Sequence, residues 1–298
     1  MQVLEQIGDL RIARQAYAPA DVGFVPTMGY LHAGHLGLVE QARRDNAHVI
    51  VSIFVNPTQF APQEDLATYP RNMARDLQLL AEAGVDLVFA PPASAIYPDD
   101  YHTYVEVGGV TEMLEGAARP TFFRGVATVV CKLFNIVQPT RAYFGQKDYQ
   151  QTVVVRQMAR DLNLPVEVVV GPTVRESDGL AMSSRNSYLS VTERRAAPVL
   201  YQALIAARRH YQQGAREAEL LREVMRNMLA TEPIAKPEYV SVADPQTLQE
   251  LAQVGDQGAV LSLAVRVGPA RLIDNMLLEP RPAETEHRTV LKGDPHDE

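Results

Sequence analysis

Two histidines three residues apart, His32 and His35, fall within Phe24-Val25-Pro26-Thr27-Met28-Gly29-Tyr30-Leu31-His32-Ala33-Gly34-His35. On a helical turn, positions i and i+3 share a side, so both imidazoles can aim at one point. A helix start there presents unpaired backbone N–H groups and the positive end of the dipole, a seat for phosphate. Gly29 and Gly34 flank the pair where the backbone must approach a ligand, and a bulky side chain at 34 would take space that a flat base could use. The plain alternative is that His32 caps a loop and His35 satisfies a backbone group. A metal site is the weaker reading, since no third ligand from Cys, His or a paired carboxylate stands nearby.

Three further clusters carry groups of the same kind. Phe144-Gly145-Gln146-Lys147-Asp148-Tyr149-Gln150-Gln151 offers a lysine that can reach a phosphate as a compact charge. Asp148 can cap the helix that follows, and Gln151 falls one turn inside it. Gly179-Leu180-Ala181-Met182-Ser183-Ser184-Arg185-Asn186 supplies two hydroxyls and an arginine, donors for anionic oxygens. Asn56-Pro57-Thr58-Gln59-Phe60 can recognise hydroxyls and carboxylates without charge.

The elements around these clusters put them on one edge. Val22–Val25 and the continuous β-branched run Val49–Val55 read as strands covered on both faces, hence parallel. Further strands are expected at Asp86–Ala90, Arg141–Gly145 and Val166–Val170. Helices are expected at His35–Asn46, Arg71–Ala83, Val126–Val137 and Asp148–Leu162, with residues 1–20 helical and 91–121 irregular. Alternating strand and helix predict a doubly wound, Rossmann-like parallel sheet, whose ligands gather beyond the carboxyl ends of the strands. After Gly171-Pro172 the pattern changes: residues 173–191 form a polar loop, and Thr192–Gln213 reads as one long helix. A helix at Glu217–Ala230 and strands at Glu238–Ala243, Ala259–Val267 and Arg271–Asn275 complete a smaller α+β domain. The domains expected are 1–175 and 176–280, with 281–298 a polar, proline-containing tail that reads as disordered.

Composition narrows the class. The 298 residues are 46% apolar and 21% charged, ordinary for a globular protein. A net charge of −8 argues against a general nucleic-acid or anionic-membrane binder. The single cysteine, Cys131, excludes an internal disulfide, and its apolar surroundings read as packing. No apolar run approaches a membrane span and no signal peptide opens the chain, so a cytoplasmic setting is expected. G-x-x-x-x-G-K-[ST], G-x-G-x-x-G, H-E-x-x-H and G-x-S-x-G are all missing, which removes the usual signatures of P-loop, dinucleotide-binding, zinc-protease and serine-hydrolase chemistry.

The H-x-x-H loop and Met-Ser-Ser-Arg together resemble the nucleotidyl-transferring α/β superfamily that includes class I aminoacyl-tRNA synthetases. PTMGYLHAGH, SIFVNPTQF, YPR, FRGVATVV, FGQKDYQQ and VRESDGLAMSSRN, in that order over Phe24–Ser190, resemble the pantothenate synthetase (pantoate–β-alanine ligase) family. The resemblance implies that ATP and pantoate form pantoyl adenylate with release of pyrophosphate, and that β-alanine then displaces AMP. By the same resemblance Met28, Gly29, Tyr30, Leu31, His32, Ala33, Gly34 and His35 bind ATP, with His35 the proton donor and His32 on the phosphates. Gly145, Gln146, Lys147 and Asp148 would form a second ATP loop, with Lys147 on the phosphates and catalytic alongside the histidines. Val174 would contact adenine, and Met182, Ser183, Ser184 and Arg185 would close over the triphosphate. Gln59 and Gln151 would grip pantoate, Gln59 also near β-alanine, and Arg124 could assist the anionic substrate. Mg²⁺ is implied without a protein ligand, as is a homodimer. Tyr30, Ala33 and Gln146 depart from the commonest family wording, which touches affinity and not the reaction. The main rival is a nucleotidyltransferase with a phosphorylated acceptor, which would want Arg or Lys where Gln59 stands. A non-catalytic nucleotide binder and a metal-dependent hydrolase are the others.

Overall fold

The computed structural model describes residues 1–280. The expected tail at 281–298 lies outside the described residues. In chain order the elements are β1 (Gln2–Leu4), α1 (Ile7–Gln15), β2 (Val22–Thr27), α2 (Ala33–Asp45), β3 (His48–Ile53), α3 (Met73–Glu82), β4 (Leu87–Phe89), α4 (Ala93–Ile96), α5 (Glu115–Ala118), α6 (Phe122–Val137), β5 (Arg141–Gly145), α7 (Tyr149–Asp161) and β6 (Glu167–Gly171). The remainder comprises α8 (Val191–Ala196), α9 (Val199–Gln212), α10 (Ala218–Ala230), β7 (Ala235–Ala243), β8 (Ala259–Val267) and β9 (Ala270–Leu278).

Strands β1 to β6 form one sheet in the order β1-β4-β3-β2-β5-β6, and every pairing is parallel. Its two faces explain the apolar runs. Phe24, Ile50 and Phe144 pack under α1, α6 and α7, while their neighbours Val25, Val51 and Tyr143 pack under α2 and α3. Alternate residues therefore meet different helical layers, and neither set can be polar. From β2 the chain runs outward through β3 and β4, then returns to β5 on the other side of β2. That reversal leaves a crevice at the carboxyl ends of β2 and β5, the place where open α/β sheets bind ligands.

The smaller sheet, β7-β8-β9, is antiparallel and packs α9 and α10 on one face around its own core of Leu204, Leu221, Leu261 and Leu263. Among the described residues no helix is long and apolar enough to cross a membrane.

Three expectations need correction. Residues 1–20 are not all helical: β1 precedes α1 and pairs with β4. A three-residue edge strand that buries only Leu4 is too short to show a period. Within 91–121 lie two single-turn helices, α4 and α5. The expected helix Thr192–Gln213 is two, broken at Pro198, which has no N–H to continue the helical hydrogen-bond ladder. The first of these starts at a Ser190–Glu193 capping box, not at Thr192.

Candidate active site

The chain between β2 and α2 turns sharply, with Gly29 at φ +83° and Tyr30 at φ +50°. A non-glycine residue in the left-handed region needs support. Asp76 of α3 provides it. Its carboxylate, 1% exposed, accepts the N–H groups of Tyr30 at 2.7 Å and Leu31 at 2.8 Å. Arg75 next to it donates to the Leu31 carbonyl at 2.9 Å.

The turn delivers His32 to the N-cap of α2, where its Nδ1 accepts the Gly34 N–H at 3.1 Å. His35 Nδ1 accepts the His32 N–H at 3.3 Å, so the two imidazoles form a reciprocal capping box. The plain reading of the histidines thus describes their inner nitrogens. It leaves the outer ones free for chemistry: with each Nδ1 an acceptor, the neutral ring carries its proton on Nε2. The rings lie 4.0 Å apart, and both line a cavity. Enclosure by protein holds both imidazoles neutral, His32 with a pKa near 4 and His35 near 3, with neighbouring Lys147 adding to the effect. The expected space for a base at Gly34 is filled differently. A Cβ there would lie 2.9 Å from the folded-back His32 ring, so glycine is required by the cap itself.

The cavity measures about 960 Å³ and lies between the carboxyl edge of the parallel sheet and β9. Met28, His32, Gly34, His35, Gly145, Lys147, Asp148, Val174, Met182, Ser183, Ser184 and Arg185 line it, as do Gln59 and Gln151. Gly29, Tyr30, Leu31, Ala33 and Gln146 do not: Leu31 is buried beneath the turn, Ala33 is exposed, and the Gln146 side chain points to Asn275. Arg124 is also outside the cavity, exposed and stacked on Tyr104 at 4.8 Å, so it cannot assist a substrate in it.

Charge inside the cavity is mostly paired. Asp65 binds Arg185 through both oxygens, at 3.0 and 3.1 Å. Glu64 holds Arg119 at 2.6 and 2.7 Å, and Glu115 holds Arg271 at 2.7 and 2.8 Å. Lys147 Nζ has a looser partner, Asp148 at 3.4 Å. Asp148 makes no side-chain cap to α7, contrary to the structural role considered for it. Ser184 donates its hydroxyl to the Tyr30 carbonyl at 3.3 Å, tying the Met182–Arg185 loop to the histidine turn. Ser183 Oγ accepts the Arg185 N–H at 3.3 Å.

The Gln59 side chain is fixed by two contacts. Its Oε1 accepts from Asn56 at 3.1 Å and its Nε2 donates to Met28 Sδ at 3.2 Å. Gly125 of α6 presses against this loop, since a Cβ there would lie 2.4 Å from the Thr58 carbonyl oxygen. Adjacent Gln150 and Gln151 both line the cavity, and Gln150, 6% exposed, also secures Val110, Met113 and Glu115. Cys131 packs partly buried on α6, and burial raises its thiol pKa, consistent with packing and not nucleophilic attack.

Asp76, Asp65 and Asn275 escaped notice in the sequence. Asp76 sits in the first turn of a helix, where an acidic residue is expected for the dipole alone. Gly125 did leave a signal, being a glycine inside an otherwise strong helix.

The pantoate-beta-alanine ligase family model matches residues 2–277. Pantothenate synthetase of Chloroflexus aggregans is 65% identical over 278 residues, covering 93% of this chain and all of that one. The crystal structure of pantothenate synthetase from Thermus thermophilus superposes with a TM-score of 0.90 at 51% identity, over 94% of this chain and all of that one. Pantoate-beta-alanine ligase from Francisella tularensis, crystallised with beta-gamma ATP and beta-alanine, superposes with a TM-score of 0.77 at 36% identity, over 93% and 97% of the two chains. The chain belongs to the pantoate–β-alanine ligase family.

Proposed function

We propose that the cavity joins pantoate to β-alanine at the expense of ATP through a pantoyl-adenylate intermediate. The observation that carries the reading is that two Nε2–H donors at the start of α2, Lys147 and the uncharged amides of Gln59 and Gln151 all line one cavity. The cationic and imidazole donors suit a triphosphate, and the amides suit a small hydroxy acid. Among the described residues the guanidinium touching Gln59, that of Arg119, is neutralised by Glu64, which disfavours a phosphorylated acceptor.

In the first step a pantoate carboxylate oxygen attacks the α-phosphorus, and the bond to the pyrophosphate oxygen breaks. Charge grows on the phosphoryl oxygens, so fixed donors aimed there lower the barrier. His32 and His35 act as neutral hydrogen-bond donors through Nε2, and Lys147 as the nearby positive charge. Its low pKa keeps His35 neutral, so it serves as a hydrogen-bond donor and not as a proton source. Arg185 reaches the triphosphate once it leaves Asp65, and Val174 lies on the adenine side. In the second step the β-alanine amine attacks the acyl carbon beside Gln59, loses a proton, and AMP departs.

Mg²⁺ bound with the nucleotide would supply positive charge that offsets the triphosphate's. Among the described residues no group of three His, Cys, Asp or Glu could hold a metal ion. The division into 1–175 and 176–280, a homodimeric assembly and a cytoplasmic setting belong to the same reading; separate cores for the two sheets support the first.

The test is turnover. ATP, Mg²⁺, pantoate and β-alanine should yield AMP, pyrophosphate and pantothenate. With β-alanine omitted, pyrophosphate should appear in an amount matching the enzyme. Formation of ADP, or pyrophosphate release that requires β-alanine, refutes the adenylate route.

A further inference from the structure

Strand β9 carries Asp274 and Asn275 into contact with both loops assigned to the triphosphate. Asn275 is 4% exposed, and its Nδ2 donates to the Gln146 carbonyl at 2.9 Å and the Lys147 carbonyl at 2.8 Å. Both amide hydrogens are thus used on consecutive carbonyls of the short turn Gln146–Asp148. The Asn275 N–H is held in turn by Asp274 Oδ1 at 2.8 Å.

Asp274 also takes Arg175 in a two-pronged ion pair at 2.6 and 2.9 Å. Arg175 donates onward to the Gly179 carbonyl at 3.1 Å. Its segment leads directly into Met182–Arg185. Adjacent residues of one strand therefore hold the Lys147 turn and the root of the Arg185 loop. Backbone held at two consecutive carbonyls fixes the Lys147 Cα, and with it the volume that Nζ can sample.

We propose that Asn275 is a positioning residue for Lys147, and that Asp274 acts likewise on the Arg185 loop through Arg175. The C-terminal sheet then sets the spacing between the two phosphate-binding loops. This rests on the reading of Lys147 as a phosphate contact.

The test is a double-mutant cycle on the full chain. Asn275→Ala, the milder Asn275→Ser (which keeps one donor), Lys147→Ala and the Asn275→Ala/Lys147→Ala pair are compared by steady-state kinetics and circular dichroism. Asn275→Ala should lower kcat/KM for ATP by about 10²-fold, the scale of a misplaced reacting group, with KM for pantoate unchanged. Asn275→Ser should lose less. Once Lys147 is gone, the Asn275 change should cost less than about twofold, because coupled residues are not additive. Full additivity, or a folded Asn275→Ala protein with unaltered kcat/KM for ATP, overturns the proposal. Should Asn275→Ala fail to fold, the cycle is run with Asn275→Ser and judged by the same criteria. Lys147→Ala without effect on kcat/KM for ATP overturns the underlying reading instead, and is recognised from that single variant.

Discussion

Acidification should weaken the fold at the histidine turn, with His35 carrying a measurable share. Its pKa in the folded chain lies near 3, against 6.5 ordinarily, because the ring is enclosed by protein beside His32 and Lys147. Between those values the unfolded chain binds a proton that the folded chain refuses. Stability from this source is complete above pH 6.5 and is lost as the pH falls towards 3. One pKa unit corresponds to about 1.4 kcal/mol, so the fall from about pH 6.5 to 5 removes at most about 2 kcal/mol. A His35→Asn variant keeps a polar side chain at that position of the helix and does not titrate. Urea unfolding of both proteins at about pH 7 and 5, followed by circular dichroism because the chain has no tryptophan, reads the difference. The stability advantage of the wild type should shrink by about 1–2 kcal/mol on acidification. An advantage that stays constant or grows refutes the neutral, Nε2-protonated His35 on which the donor assignment rests.

Other perturbations test other parts of the site. Gly125→Ala would force a Cβ against the Thr58 carbonyl and the Gln59 N–H, 2.4 and 2.8 Å away. Overpacking of this kind costs about 1–3 kcal/mol, and KM for pantoate should rise while KM for ATP holds; an equal rise in both contradicts the placement of Gln59. Asp76→Ala leaves the Tyr30 and Leu31 N–H groups without their acceptor. Each costs about 1–3 kcal/mol, so the melting temperature should fall and ATP affinity with it; unchanged melting shows that the turn supports itself. Asp65→Asn removes the carboxylate that holds Arg185. Titration calorimetry with a non-hydrolysable ATP analogue should show binding tighter by roughly two- to fivefold, the worth of a partly exposed ion pair, and weaker binding would show that Asp65 supports the nucleotide site.

Much of the architecture was legible because its physics is local. A strand covered on both faces must be apolar throughout, so Val49–Val55 announced β3, and the Gly145-to-Lys147 junction marked the end of β5. The cluster residues that line the cavity were found by type alone: His32, His35, Lys147, Arg185, Gln59 and Gln151 are side chains that can hold phosphate or carboxylate oxygens. Short elements escaped because three or four residues carry no period, as with β1, and Pro198 broke a helix whose apolar pattern runs on through it.

By itself the sequence determined the fold class, the edge of the sheet on which the cavity opens, and the family. Tertiary structure alone decided which side of each group is available. His32 and His35 spend Nδ1 on their own helix start and keep Nε2; Gln150 spends its amide on the backbone of Val110, Met113 and Glu115; Arg124 stacks on Tyr104 away from the cavity. It also supplied partners that are distant in the chain. Asp76 holds a turn 45 residues before it, and Asn275 a turn 128 residues before it. No local pattern records such pairings, because a hydrogen bond depends on where two backbones come to lie and not on how many residues separate them.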